Sequence, residues 1–480
     1  MENQAQFHIQ LTDHQPPPPP SYEEDLDDDG RPKRTGTVWT ATSHIITAII
    51  GSGVLSLAWA VAQLGWVAGV TSLLCFSCVT LYTSNLLADC YRSPDPLTGK
   101  RNYTYKEAVK NNLGGKMHVL CGIAQYCNLC GMVIGYTITS SISMVAIQKS
   151  NCFHKTMSHE NCSFSHNPYM IGLGVVQIFL SQIPSFDKLS ILSIVAAIMS
   201  FTYASIGIGL ALAKIVSGEK EKSSLTGVEI GLGISAADKT WKMFRALGDI
   251  AFAFTFSQVL VEIQDTLKST LPENKVMRKA NMLGVLTTTT FYVMSGCIGY
   301  AALGNPAKGN MLTGFGFYEP FWLIDLANIC IVVHLVGAYQ VFAQPLFNAV
   351  ETEISRRWPK SKFVKKEYPI GMGKIKISFN LLRLTWRTSF VVLATFTAML
   401  FPFFNEVLSL LGAFGYWPLT VYFPISMFIA NKRIQRWSSK WVGLQLVNTV
   451  CFLVALAAAC GSIQGIGLAL KTYKPFTIKE

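Results

Sequence analysis

An all-α protein that crosses a membrane many times is predicted by three properties of this 480-residue chain. Half of its residues are apolar and only 14% are charged, a balance that large soluble proteins do not show. Apolar runs of bilayer length, roughly 20 residues each, recur about eleven times along it. Lysine and arginine fall mostly between those runs, so the formal net charge of +12 reads as a signal for orientation. On that reading the solvent is membrane lipid, and no nucleic-acid partner is expected.

Residues 1–36 come first, with a run of five prolines, an acidic stretch from Glu23 to Asp29, then Arg31, Lys33 and Arg34. This is the composition of a disordered, solvated tail. It holds no apolar segment ahead of a small-residue cleavage site, so no cleavable signal is expected and the first span must target the chain. Pro19-Pro20-Ser21-Tyr22 has the P-P-x-Y form that WW-type domains bind, although a solvated Pro-rich tail explains it more simply. The transmembrane domain is expected over 37–470. Its spans fall near 38–63, 66–89, 117–147, 168–186, 188–213, 246–266, 281–303, 319–349, 388–404, 406–430 and 441–469, with Pro184 and Pro402 supporting the two least distinct divisions. Residues 471–480 form a short C-terminal tail.

An odd number of spans puts the two termini on opposite sides. With the N-terminus in the cytoplasm, 27 of the 40 lysines and arginines lie on the cytoplasmic face, which favours that orientation and an extracellular C-terminus. The loop at 148–167 is then extracellular, and it holds Cys152 and Cys162, two cysteines well clear of any span that an oxidising face would let pair. Asn161-Cys162-Ser163 is a glycosylation sequon in the same loop, whereas the one at Asn102 faces the cytoplasm. Most of the other cysteines sit within apolar runs as small hydrophobes. Cys127 and Cys130 have C-x-x-C spacing inside a span with no second ligand pair, so no metal site is expected.

The first span, from Ser43 to Gly65, carries Gly51-Ser52-Gly53 at its middle. Two glycines in a helix interior cost about 1 kcal/mol each, and an unwound backbone at that depth needs polar partners or a wet cavity. A broken helix is therefore predicted there. Its second half, starting near Val54, would aim free N–H groups and a positive dipole end at a carboxylate. Close helix packing through small residues is the competing account, but it calls for G-x-x-x-G and not G-x-G.

Six stretches resemble plant amino acid permeases of the amino acid/auxin permease family: GSGVLSLAWAVAQLGW (51–66), LADCYRSPDPLTGKRNYTY (87–105), GYTITSSISM (135–144), GDIAFAF (248–254), GFGFYEPFWLID (314–325) and YWPLTVYFPI (416–425). The resemblance covers nearly the whole chain. It implies proton-driven uptake of amino acids at the plasma membrane, with protons as the co-transported ion and no cofactor. It also implies a LeuT-like scaffold of two inverted five-helix repeats, here about 38–213 and 246–430, plus one extra helix at about 441–469.

In such a scaffold span six matches span one and is broken too. Between Ile250 and Val259 no glycine or proline marks a break, and periodicity alone leaves a packed buried helix equally open. The resemblance favours the break, with backbone around Phe252, Phe254, Thr255 and Ser257 accepting the substrate ammonium. Backbone from Ile50 through Gly51, Ser52, Gly53 and Val54 would donate to the carboxylate. Span three offers Gln125, Tyr126, Asn128 and Tyr136 as polar lining, of which Tyr126 and Asn128 are the expected contacts; interhelical hydrogen bonding is their alternative. With no fixed countercharge for the side chain, broad selectivity for neutral amino acids follows.

Few ionisable groups lie within the spans, and each is a candidate for carrying the proton. His44 is two helical turns before Gly51 and on its face, with a reference pKa suited to the task. His334, Glu262 and Asp325 are the further candidates, with His334 and Asp325 on opposite faces of span eight. Asp249, near the outer end of span six, and Asp265, near the inner end, read as gate pairs or caps. Nothing marks a sodium site. A channel or receptor would need charge rings, a repeated pore segment or seven spans, and no nucleophile, metal set or phosphate loop suggests an enzyme. The alternatives within transport are a carrier of auxin or another weak acid, or a sodium-coupled amino acid carrier.

Overall fold

The computed structural model describes residues 26–31, 33–156, 162–183, 190–231, 233–316, 319–372 and 375–472. Its first span is split in two. Thr37 caps helix α1 (Val38–Ile49) in a reciprocal bond with Thr40, the helix stops at Ile49, and a 3-10 turn (Ser52–Ser56) leads into α2 (Leu57–Ala88). Within α2 the backbone reverses at Gly65, whose φ is +80°. A Cβ there would lie 2.3 Å from the Gly227 nitrogen, so only glycine allows the second span to start where the first ends.

The first half continues through α3 (Tyr105–Leu113), α4 (Gly115–Thr156), α5 (Asn167–Ser181) and α6 (Ser190–Val216). The second half repeats the opening device: α7 (Ala236–Ala253), a 3-10 turn (Ser257–Val259) and α8 (Leu260–Gln264) form one broken span. Then come α9 (Glu273–Leu303), α10 (Met311–Gly314), α11 (Phe321–Arg357), α12 (Lys362–Lys365), α13 (Leu381–Leu400), α14 (Phe404–Gly415), α15 (Phe423–Asn431) and α16 (Ser439–Thr472). A π-helical turn at Tyr416–Tyr422 joins α14 to α15, and two antiparallel hairpins, β1–β2 (Arg92–Ser93, Lys100–Arg101) and β3–β4 (Glu367–Met372, Ile375–Asn380), sit between spans.

Among the described residues 8 helical stretches are long and apolar enough to cross a membrane. With α1, α5 and α13 these are consistent with eleven spans. The apolar window of Ala236–Gln264 is 89% buried and that of Ser439–Lys471 only 17%, so the sixth span is the axis of the bundle and the last its outer wall.

The expected span limits need correction where helices outrun their apolar core. Span six begins at Ala236, ten residues before the expected 246, because Ser235 and Asp238 cap a polar first turn; span seven begins at Glu273 and span eight runs to Arg357. The expected tail is also shorter than 1–36. From Leu26 onward the described residues pack against the bundle: Gly36 pairs with Leu267, Arg34 bridges Asp27 (3.0 Å), Asp29 (2.7 Å) and Asp265 (2.9 Å), and Asp28 meets Arg92 (2.9 Å) and Arg101. Asp27 and Asp29 are largely covered by Arg34, while Asp28 stays half-exposed on the two arginines it meets. The Arg34 guanidinium hydrogen-bonded to Asp29 holds that carboxyl well below the usual carboxylate range. Pro19 to Tyr22 and Asn161 lie outside the described residues, as do 473–480.

At the opposite end of the bundle Cys152 and Cys162 form a disulfide, with Cα atoms 5.8 Å apart.

Candidate functional site

Breaking a helix in the middle of a bundle strands backbone polar groups, and the two breaks dispose of theirs differently. In the first span the carbonyls are taken up by neighbouring helices. Ser200 Oγ donates to the Ile50 carbonyl (2.9 Å), Tyr203 donates to that of Gly51 (3.0 Å), and the Tyr292 hydroxyl reaches that of Ile49. The N–H groups of Ser52 and Gly53, at the head of the 3-10 turn, have no acceptor among the described residues, and the buried Ser52 hydroxyl has no partner.

In the sixth span the imbalance is reversed. Phe254 and Thr255 leave their carbonyls without a donor among the described residues, while the Thr255 hydroxyl is spent on the Ala251 carbonyl (2.7 Å) and that of Ser257 is unpartnered. The breaks are in contact. A Cβ added to Gly53 would come within 3.0 Å of the Ala253 Cα and 3.2 Å of the Phe252 ring, and Tyr292 lies between the carbonyls of Ile49 and Ala253, 3.0 Å from the latter. Unbonded donors of one break thus adjoin unbonded acceptors of the other.

His334 of α11 completes this centre. Only 1% exposed, it places Nδ1 at 2.9 Å from the Ala196 carbonyl and 2.8 Å from Ser200 Oγ. A carbonyl accepts only, so Nδ1 carries hydrogen, and in the neutral ring Nε2 keeps its lone pair. Nε2 has no partner and, like the Tyr136 hydroxyl, stands 3.7 Å from where a Cβ on Gly51 would be.

The other predicted residues lie elsewhere. His44 is only half-buried, off the stripe of Ala41, Ile45 and Ile49 that packs inward. Its expected alignment with Gly51 assumed two continuous turns, but α1 ends at Ile49 and the Gly51 N–H turns back to the Ile49 carbonyl (2.8 Å). Tyr126 sits under the Lys106 ammonium, and Asn128 donates to the Leu411 carbonyl of α14 (3.0 Å), so both serve interhelical contacts while Tyr136, further along α4, reaches the break. Glu262 accepts from the Tyr105 N–H (3.3 Å) near the N-terminal end of the bundle; Asp325 accepts from Asn151 (3.3 Å) near the disulfide. Gln125 donates to the Gln258 carbonyl at 2.9 Å. Ile50 and Val54 are buried, as are Phe252 and Phe254.

Ser200, Tyr203 and Tyr292 were not signalled by the sequence, since a serine or tyrosine in an apolar run reads as ordinary filling. Two ion pairs inside the bundle also went unread: Arg387 with Glu351 (2.6 Å), and Arg245 with Glu406 (2.6 Å), the latter guanidinium lying 4.7 Å from the Trp59 ring centre. Asp249 is fully buried deep in α7, not near its outer end. Among the described residues no cluster of three or more His, Cys, Asp or Glu could hold a metal ion.

A backbone cradle of this kind can be compared with known proteins. The family profile described as "Transmembrane amino acid transporter protein" matches residues 34–467. Three curated proteins of Arabidopsis thaliana are similar over 94% of this chain: amino acid permease 8 (60% identity, 95% of its own length), amino acid permease 6 (59%, 94%) and amino acid permease 1 (58%, 93%). Two solved structures share the fold at 11% identity. One is MhsT in complex with L-phenylalanine (TM-score 0.52, 90% of this chain and 100% of that one); the other is a nucleobase-cation-symport-1 family transporter, closed with bromovinylhydantoin bound (TM-score 0.54, 93% and 95%).

Proposed function

The chain belongs to the transmembrane amino acid transporter family, and on that premise we propose that it is a proton-coupled symporter that imports amino acids across the plasma membrane by alternating access. Its fold is the LeuT-like one, with the repeats at about 38–213 and 246–430 moving against each other around the two breaks. The observation that carries the reading is the pairing of unbonded N–H groups at Ser52 and Gly53 with unbonded carbonyls at Phe254 and Thr255. One set suits a carboxylate and the other an ammonium, the two charged ends of a zwitterion. Phe252 and the Tyr136 hydroxyl would border the side chain, and with no unpaired fixed charge among them neutral amino acids are favoured.

Coupling is assigned to His334. Its Nε2 faces the break, and a proton taken there would sit beside the bound carboxylate, so that each ligand raises the affinity for the other. His44, Glu262 and Asp325 are displaced from the substrate and are weaker candidates. The N-terminus lies in the cytoplasm and the C-terminus outside, a placement supported by the lysine and arginine bias and by a disulfide at the far end from the N-terminal segment. Uptake of labelled amino acids in oocytes, with current recorded at varied external pH and with sodium replaced, tests this. Uptake rising in acid with inward current in sodium-free medium is expected. Loss of uptake without sodium, or competition by indole acids and not by amino acids, would overturn it.

A further inference from the structure

Among the described residues Asp249 is a carboxyl left without any partner: it is 0% exposed and neither oxygen has a hydrogen bond. A bare carboxylate in that position would cost several kcal/mol, so the group is neutral or is paired in another conformation. One turn earlier on the same helix, Arg245 holds Glu406 through Nη1 at 2.6 Å while its buried Nε has no acceptor. An unused donor and two unused acceptors therefore sit an i,i+4 step apart on α7. The Arg245–Glu406 pair ties α7 to the first turn of α14, and it lies over Trp59 just past the first break. Arg245 also lines a recess with Asp238, Trp241, Lys242 and Gln464, open at the end of the bundle away from the N-terminal segment.

We propose that Asp249 is a second proton-binding group, on the entry side of the site, and that its charge decides which carboxylate Arg245 holds. Protonated, Asp249 leaves Arg245 on Glu406 and the α7–α14 seam shut. Deprotonated, it draws the guanidinium down, frees Glu406 and loosens the seam. The step is a protonation alone: a proton entering past Arg245, which lines the recess, adds to a carboxyl oxygen of Asp249, and no other covalent bond is made or broken. The charged groups acting on Asp249 are Arg245 from its own helix and Glu406 from α14. The crevice that α7 forms with α2 and α16 brings Cys75, Cys451 and Tyr416 against Leu247 and Ala251, with no charge. Packing makes the seam tight: Gly248 and Gly412 are so close that a Cβ on Gly412 would meet the Gly248 carbonyl, and Ser409 donates to the Arg245 carbonyl (2.7 Å).

The inference rests on the proton-coupled reading, and one experiment separates the two. The apparent affinity for a labelled neutral amino acid is measured against external pH for the parental chain, Asp249→Asn and Asp249→Glu, each normalised to surface protein. Expected is a parental affinity that changes with external pH in two steps, an Asn variant that loses one step and keeps the one owed to His334, and a Glu variant that keeps both with one midpoint moved. If Asp249→Asn keeps the parental pH dependence, Asp249 is not the group and proton coupling stands. If the parental affinity and uptake are both independent of pH, both readings fall. Should the Asn variant fail to reach the surface, the Glu variant decides: a moved midpoint supports the proposal and an unmoved one overturns it.

Discussion

The N-terminal end of the bundle and its centre both bury polar groups and treat them differently. At the end, Arg34, Arg92 and Arg101 are each buried and each engaged by two or more partners: Arg92 meets Glu273 (2.7 Å) and Asp28 (2.9 Å), Arg101 meets Glu273 (3.2 Å), Asp28 and Ser269 (2.8 Å), and the Tyr91 hydroxyl donates to Asp265 (2.6 Å). In the centre, the Ser52 and Ser257 hydroxyls, the Asp249 carboxyl and His334 Nε2 have no partner among the described residues. Each of these three guanidinium groups has a carboxylate partner, even though Arg101 Nε and Glu262 Oε2 at the same end are buried without a hydrogen-bond partner among the described residues. Satisfied networks hold an end closed; unsatisfied ones wait for a ligand.

The sharpest way to break this contrast is to fill the centre. Gly53→Leu should reduce uptake to background at parental surface level, since even a Cβ is crowded at 3.0 Å from Ala253, whereas Gly51→Ala, with its nearest neighbours at 3.7 Å, should keep most of the parental rate. Equal loss in both, or in neither, would remove the special status of the crossing point.

Next in size is the histidine. His334→Gln should lower the charge moved per amino acid and cut uptake about tenfold, equivalent to ~1.4 kcal/mol, while His44→Ala should leave charge per amino acid as in the parent. The reverse result would return coupling to the first half-helix.

The satisfied end answers to Arg34. Removing one partner of a buried ion pair costs about 3–5 kcal/mol, so Arg34→Ala should let that end open more often. Cys90 reports it. Burial pushes its thiol up to about 12, so little of the reactive thiolate exists while the end is shut; exposure brings it down and labelling by a permeant maleimide should rise several-fold on mass spectrometry of the peptide. Unchanged labelling would show that the acidic segment is not what closes this end. Smallest is the disulfide: Cys152→Ser with Cys162→Ser should lower the melting temperature by a few degrees, read by thermal aggregation in detergent, because it closes a loop of only 10 residues. It should leave the apparent affinity for amino acid unchanged.

How much of this was legible beforehand differs between the same two regions. Gly51-Ser52-Gly53 announced its break because glycine in an apolar run is costly and so needs a reason. Span six broke without any such marker; Phe254-Thr255-Phe256 unwinds because Tyr292 and the opposing break accommodate its backbone, a tertiary effect with no local trace. His334 was visible as an ionisable group within a span, but its rank over His44 depended on where α1 stopped, and helix ends are what pattern reading fixes least well. The acidic run at Asp27 to Asp29 read as solvated because composition carries no information about a basic partner some 65 to 75 residues away at Arg92 and Arg101.

Tyr292 has a consequence of its own. Standing on α9, it touches the last carbonyl of each outgoing half-helix, Ile49 in one repeat and Ala253 in the other. A hydroxyl has one hydrogen, so it can fully serve only one of the two at a time. The two broken spans are therefore tied through one shared hydroxyl. Turning that hydroxyl from one carbonyl to the other trades one hydrogen bond for another, so a small shift of either half-helix need not cost a bond outright.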